Sequence, residues 1–411
     1  MLDCATIRQD FDVIVKEGIT YLDNAASTLK PRQVIEAMTD FMKESYANVH
    51  RGVHRLSVRA STAYESAHEA VAKFIGADSW EEVIFLKNTT EASQLLVETL
   101  ITNGVIGEGD EVVLTEAEHH SILLPWVRAV RRAGAKIRIV PVNGEGVPKW
   151  DVLDNLLSER TRAVVFAHVS NVTGYVTNVK EVVRKAKSVN ALVVLDAAQS
   201  VPHMPFDVKD LGIDFALFSG HKMLGPTGIG VLWGRADLLR GLEPPIGGGG
   251  SVRDVLISGD GVRVEWDDPP WRFEAGTPPI IEAVGLAEAV AYLRRVGMSN
   301  VAEHERELTA RALAKLSGIN GVEIIGPKTP GRRHGIVSFV VKGHNPDAVG
   351  VWLDSRKIAV RTGKHCAHPL HYRLGIEGTV RASFYIYNCV DDVEKLSTAI
   401  REYVARYGLG Y

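Results

Sequence analysis

The chain has 411 residues, 45% hydrophobic and 24% charged, the make-up of a soluble globular protein with room for a large core and two domains. A formal net charge of −3 gives no reason to expect nucleic acid or an anionic membrane as partner, and no apolar run is long enough to cross a bilayer. Three widely spaced cysteines suggest neither a disulfide framework nor a zinc site, and Met1-Leu2-Asp3-Cys4 lacks the pattern of a signal peptide, so a reduced, cytoplasmic protein is expected.

In chain order, Tyr21-Leu22-Asp23-Asn24-Ala25-Ala26-Ser27 reads as a short strand entering a turn of small residues. Helical pattern follows, then Asn48-Val49-His50-Arg51-Gly52-Val53-His54-Arg55, which either holds an anionic ligand or faces solvent. Short apolar runs then alternate with helical stretches. The runs are Val83–Leu86, Glu111–Thr115, Ile137–Val142, Ala163–His168, Leu192–Leu195, Phe215–Phe218 and Ile229–Trp233. Seven such runs predict a mostly parallel sheet covered on both faces. The last two are too close for a helical crossover, so the final strand should run antiparallel.

Ligands bind beyond the carboxyl ends of the strands in such a sheet. Asn88-Thr89-Thr90-Glu91 follows the first strand, with the spacing of a capping box; it is either an ordinary helix cap or a phosphate cradle. Later strands lead to Glu118-His119-His120, His168-Val169-Ser170-Asn171, Asp196-Ala197-Ala198-Gln199 and Ser219-Gly220-His221-Lys222. Adjacent His119 and His120 cannot readily converge on one metal ion, and no metal site is expected. Lys222 has two readings, a surface-loop lysine or a Schiff-base lysine that condenses with an aldehyde cofactor.

Beyond the sheet come Gly247–Gly250, hairpin signals around Ser258-Gly259-Asp260-Gly261, and Trp271-Arg272-Phe273-Glu274-Ala275-Gly276-Thr277-Pro278. A long helical region from Ile281 to Leu316, broken near Gly297, leads into a small α+β unit. That unit comprises strands Val322–Ile325 and Ile336–Val341, helix Pro346–Ser355, strand Val380–Tyr387 and helix Val390–Tyr407.

An aldehyde cofactor with a phosphate and a pyridine nitrogen needs an amine, an anion cradle and a carboxylate that keeps the ring nitrogen protonated. Lys222, then Thr89 and Thr90 with Ser219 and His221, then Asp196 would supply them, with His119 flat against the ring. The ordered set resembles the cysteine desulfurases of the class V aminotransferase family, within the fold-type I pyridoxal-phosphate enzymes. The likeness is to the SufS-type branch, which overlaps with selenocysteine lyases. It is carried by Tyr21–Ala26, Asn48–Gly52, Thr89–Glu91, Glu118–His120, Asp196–Gln199, Ser219–Lys222, Phe273–Pro278 and Arg361-Thr362-Gly363-Lys364-His365-Cys366-Ala367.

The resemblance implies a large pyridoxal 5'-phosphate-binding domain over 21–292, with 1–20 and 293–411 forming a small domain that carries the nucleophilic cysteine. It implies that Lys222 takes the cofactor aldehyde, Asp196 pairs with the ring nitrogen and Gln199 with the ring hydroxyl. His119 stacks on the ring, while Thr89, Thr90, Ser219 and His221 hold the phosphate. Thr277 is implied to reach the neighbouring subunit's phosphate in a homodimer. Asn171 and Arg381 grip the substrate carboxylate, with Ala26 and Arg361 completing the substrate site. Cys366, otherwise readable as an inert buried thiol, is implied to be the nucleophile, with Arg361, Lys364 and His365 favouring its thiolate. The implied reaction converts L-cysteine to L-alanine, leaves a persulfide on Cys366 for iron–sulfur assembly, and hands the sulfur to a small Suf-type carrier or scaffold. Selenocysteine lyase, acting on L-selenocysteine, or another lyase or aminotransferase of the family is the alternative. One departure stands out: Lys364 occupies a place where the branch has histidine. Cys4 and Cys389 are read as structural thiols.

Overall fold

The apolar runs between Val83 and Trp233 assemble, in a computed structural model that describes residues 2–329 and 331–408, into one seven-stranded sheet. Across the sheet the strands run Val83–Leu86, Gly230–Gly234, Phe215–Ser219, Leu192–Asp196, Thr161–Ala167, Glu111–Thr115, Lys136–Val140. Gly230–Gly234 is antiparallel to both neighbours, and the other pairings are parallel. The strand expected to run to Val142 stops at Val140, because Pro141 has no N–H to extend the ladder.

Alternate side chains of each strand enter different cores, as the pleat requires. Val83, Phe85, Val193, Leu195, Ala216 and Phe218 pack with Tyr64 and Val71 of helix Arg55–Ile75 and Leu286 of helix Ile280–Val296. Ile84, Val112, Leu114, Val194, Phe215 and Leu217 pack with helices Thr89–Thr102 and His120–Arg132. The sheet is therefore buried on both faces, and only its ends are free to bind a ligand.

The long helical region divides at Gly297, whose φ of +85° no other residue adopts at low cost, into Ile280–Val296 and Met298–Ser317. A second, antiparallel sheet follows, in the order Val322–Ile325, Ile336–Val341, Thr379–Ser383, Arg361–Gly363. Helices Met298–Ser317, Pro346–Asp354 and Val390–Tyr407 cover it. The chain's N-terminal segment is tied to this unit. Thr20–Tyr21 pairs with Ile358–Ala359, and Arg8 bonds the Tyr387 carbonyl at 2.8 Å and pairs with Asp392.

Cys4 and Cys389 form a disulfide, which corrects the expectation of three free thiols. They are 385 residues apart in sequence, but the fold brings their Cα atoms to 5.7 Å. Cys366 alone is free, and it is exposed. The hairpin signals are realised as Val252–Ser258 and Gly261–Trp266. Among the described residues no helix is long and apolar enough to cross a membrane.

Candidate active site

The carboxyl ends of the central strands and the edge of the small sheet enclose a cavity of about 320 Å³. Its walls include Ala26, Thr89, Thr90, His119, Asn171, Asp196, Gln199, Ser219, His221, Lys222, Arg361, Cys366 and Arg381, so one space gathers every residue expected to touch cofactor or substrate except Thr277.

One end is built for an anion. Asn88 caps helix Thr89–Thr102 by accepting the Glu91 N–H at 3.0 Å. The Glu91 carboxylate reaches back to the Lys87 N–H rather than to the cap itself, so the expected capping box is displaced by one residue. Ser219 Oγ accepts the Thr89 N–H at 2.9 Å and shares a 2.6 Å bond with the Thr89 hydroxyl. Helix N-terminus, two hydroxyls and the Thr90 side chain thus converge. The strand beside them comes close only because residue 230 is glycine: a Cβ there would lie 2.6 Å from Asn88 Cα. His221 adds an imidazole that burial, with Lys222 and Lys30 helping, pushes down to about 4, so it is neutral.

The centre of the cavity carries the charge chemistry. Burial brings the Lys222 amine down to about 8; Asp196 pulls it up, and Arg381 pushes it further down. Burial pushes the Asp196 carboxyl up, while the Ala198 N–H, bonded at 2.9 Å, and Lys222 pull it back. His119 caps helix His120–Arg132. Its Nδ1 accepts the Ser121 N–H at 3.0 Å, which leaves its ring proton on Nε2. Burial, then Lys222, push its pKa down to about 3, so it offers a neutral flat ring. His120 turns away and stacks on His368 at 4.7 Å.

Opposite, Arg361 and Arg381 face each other across two antiparallel strands, a like-charge pairing that is unfavourable by itself. Asp23 relieves it, bonding Arg361 at 2.7 Å and lying 3.6 Å from Arg381. Arg381 also donates to the Asn171 carbonyl at 2.9 Å, and its Nε is buried without a partner. Burial lowers its pKa to about 10, so it keeps its charge.

Cys366 sits at the rim on a tight turn. His365 and Cys366 both take left-handed backbone, φ +47° and +54°, unusual for residues with side chains and found where a fold holds a group in place. The turn is pinned from the large sheet: Asn171 Nδ2 donates to the His365 carbonyl at 2.8 Å, and the His120 N–H to the Cys366 carbonyl at 2.8 Å. His365 Nε2 pairs with the Thr379 hydroxyl at 2.7 Å. Of the three cations expected to favour the thiolate, His365 is neutral, since burial pushes it to about 2. Arg361 is paired with Asp23, and Lys364 lies over the Tyr372 ring at 4.7 Å.

Thr277 is the exception. It lines a separate groove with Asn48, Arg51 and Pro278, outside this cavity. Three contributors to the site's frame were given no role from the sequence: Asp23 between the arginines, Glu118 close enough to Asp196 to feel its charge, and Lys30 on the carbonyl of His221. Asp23 and Glu118 lay inside recognisable motifs; Lys30 gave no local signal.

The residues fit a phosphorylated pyridine aldehyde. Gln199 spends its Nε2 on the Ala25 carbonyl at 2.7 Å and leaves Oε1 buried without a partner, an acceptor suited to a ring hydroxyl. Asp196 suits the ring nitrogen, and Lys222 is the amine for the aldehyde.

Residues 20–396 match the family model described as Aminotransferase class-V. A probable cysteine desulfurase from Aeropyrum pernix is 57% identical over 97% of each chain. A cysteine desulfurase from Haloferax volcanii is 44% identical over 97% of this chain and 96% of that protein. The apo structure of the cysteine desulfurase from Thermococcus onnurineus NA1 superposes with a TM-score of 0.93 over 99% of each chain at 40% identity.

Proposed function

The chain belongs to the class V aminotransferase family, and we infer that it is a pyridoxal 5'-phosphate-dependent cysteine desulfurase, which moves sulfur from L-cysteine onto Cys366 and releases L-alanine. One observation carries this reading: an exposed free thiol, Cys366, lines the same cavity as Lys222, Asp196 and a buried arginine.

Bound pyridoxal phosphate supplies an electron sink for the substrate α-carbon. The protein does the rest. Arg381 offers a desolvated guanidinium to the substrate carboxylate. Lys222, with a pKa near 8, has enough neutral amine at working pH to take the α-proton and return one. His119, neutral, would cover the ring face. The Cys366 thiolate attacks the substrate sulfur; an S–S bond forms as the substrate Cβ–S bond breaks. The sulfur stays on Cys366 as a persulfide, and protonation of the three-carbon remainder gives L-alanine. No external oxidant or reductant enters this balance.

A Cys366→Ser protein should keep its yellow colour and its spectral response to L-cysteine, while turnover falls on the order of a thousandfold and no persulfide forms on the chain. Undiminished turnover would remove Cys366 from the nucleophile's place.

Three finer points belong to the same proposal. The short, pinned turn at Cys366 supports delivery to a small Suf-type carrier, since the thiol cannot reach far. The active unit is a homodimer in which Thr277, outside its own cavity, serves the neighbouring site. The product persulfide feeds iron–sulfur assembly, with L-selenocysteine as the alternative substrate.

A further inference from the structure

The carbonyl oxygen of His221 is the most heavily bonded acceptor near the site. Lys30 Nζ donates to it at 2.8 Å, the Thr28 N–H at 3.0 Å, and the Ser27 and Thr28 hydroxyls at 3.2 Å each. A carbonyl has two lone pairs, so these donors crowd and share it. Thr28 Oγ1 also accepts the Leu224 N–H at 2.9 Å, closing the turn from its far side. The oxygen belongs to the peptide bond that joins His221 to Lys222. That unit is planar, so fixing the direction of its C=O fixes the direction in which the Lys222 backbone leaves it.

Lys30 is an odd residue for this task. It does not line the cavity. Its amine is held by two carbonyls, that of Thr28 at 2.7 Å and that of His221. Burial alone shifts it, down to about 7, with no acidic group offsetting the cost. An apolar side chain of similar length would fill the same space without that cost, but it would leave the His221 carbonyl without its shortest bond.

We propose that Lys30 is a positioning residue for Lys222: its amine holds the His221–Lys222 peptide so that the Lys222 amine points at the cofactor aldehyde. This rests on the reading of Lys222 as the cofactor lysine. The two can be separated with a pair of probes. Pyridoxal 5'-phosphate has an aldehyde for Lys222 to capture; pyridoxine 5'-phosphate has the same ring and phosphate and no aldehyde.

The experiment strips cofactor from the full-length protein and measures two quantities. One is the rate at which pyridoxal phosphate restores the yellow absorbance. The other is the affinity for pyridoxine phosphate. In Lys30→Met the capture rate should fall about tenfold or more, since small misplacements of a reacting group cost that much. Pyridoxine phosphate affinity should change by no more than about threefold, since Lys30 does not line the cavity. Equal losses with both probes would assign Lys30 to the general structure of the site and overturn the proposal, as would an unchanged capture rate. If the unsubstituted protein captured no pyridoxal phosphate, the reading of Lys222 would fail instead. Should Lys30→Met not fold, Lys30→Gln, which donates through a shorter arm, carries the same comparison.

Discussion

Glu118 lies fully buried at the end of the Glu111–Thr115 strand. Its Oε1 accepts the Thr115 hydroxyl at 2.5 Å and its Oε2 has no partner. Burial, with Asp196 adding to it, pushes its pKa up to about 8, against an ordinary value of 4.5. Glu118 is therefore protonated at neutral pH. A carboxyl whose folded pKa is raised contributes stability that is fully present below 4.5 and is lost as pH rises through about 8. The contribution of Glu118 should therefore fall between about pH 5 and about pH 9, so the melting temperature of Glu118→Gln, neutral throughout, should rise relative to that of the unsubstituted protein across this range while the yellow colour is kept. An identical slope in the Gln variant would contradict the assignment. The convergence of Lys222, Asp196 and Cys366 on one cavity was legible because each stands in an ordered string of residues. The neutrality of His365 was not, because a histidine's charge is set by burial that only the folded chain defines.

The turn that carries Cys366 depends on short elements. Arg361–Gly363 and Ile358–Ala359 are three and two residues long, and helix His368–Arg373 has six. None was anticipated, because so few residues show no periodicity. The two strands exist only through their pairing with Thr379–Ser383 and Thr20–Tyr21. By contrast, helix Val390–Tyr407 and strand Val83–Leu86 matched their expected bounds, since each has a sustained pattern and clear ends. The left-handed backbone at His365 and Cys366 is held partly by the Thr379 hydroxyl. Thr379→Val should cost about 1 kcal/mol of stability by orphaning His365 Nε2. It should also raise the rate of Cys366 alkylation by iodoacetamide severalfold, with the cofactor absorbance unchanged. An unaltered alkylation rate would mean that the turn does not depend on this bond.

At the scale of the whole molecule, the sheet and its two covering layers were legible from seven apolar runs, and the antiparallel final strand from a short connection. The Cys4–Cys389 pairing was not, since residues that far apart in sequence become neighbours only through the fold. Thr277 lies in a groove outside the cavity, so a homodimer that shares it between sites makes a specific prediction. Lys222→Ala and Thr277→Ala proteins, each weak alone, should regain activity when co-assembled, because one mixed site then carries both native residues. No gain on co-assembly would confine Thr277 to its own chain. Sulfur removal from L-cysteine by a pyridoxal phosphate enzyme is decided by one experiment on the purified protein. Its visible spectrum is recorded, L-cysteine and a reductant are added, and sulfide and alanine are assayed together. A desulfurase is yellow and yields the two in equal amounts; a colourless protein, or alanine formed without sulfide, would rule that activity out.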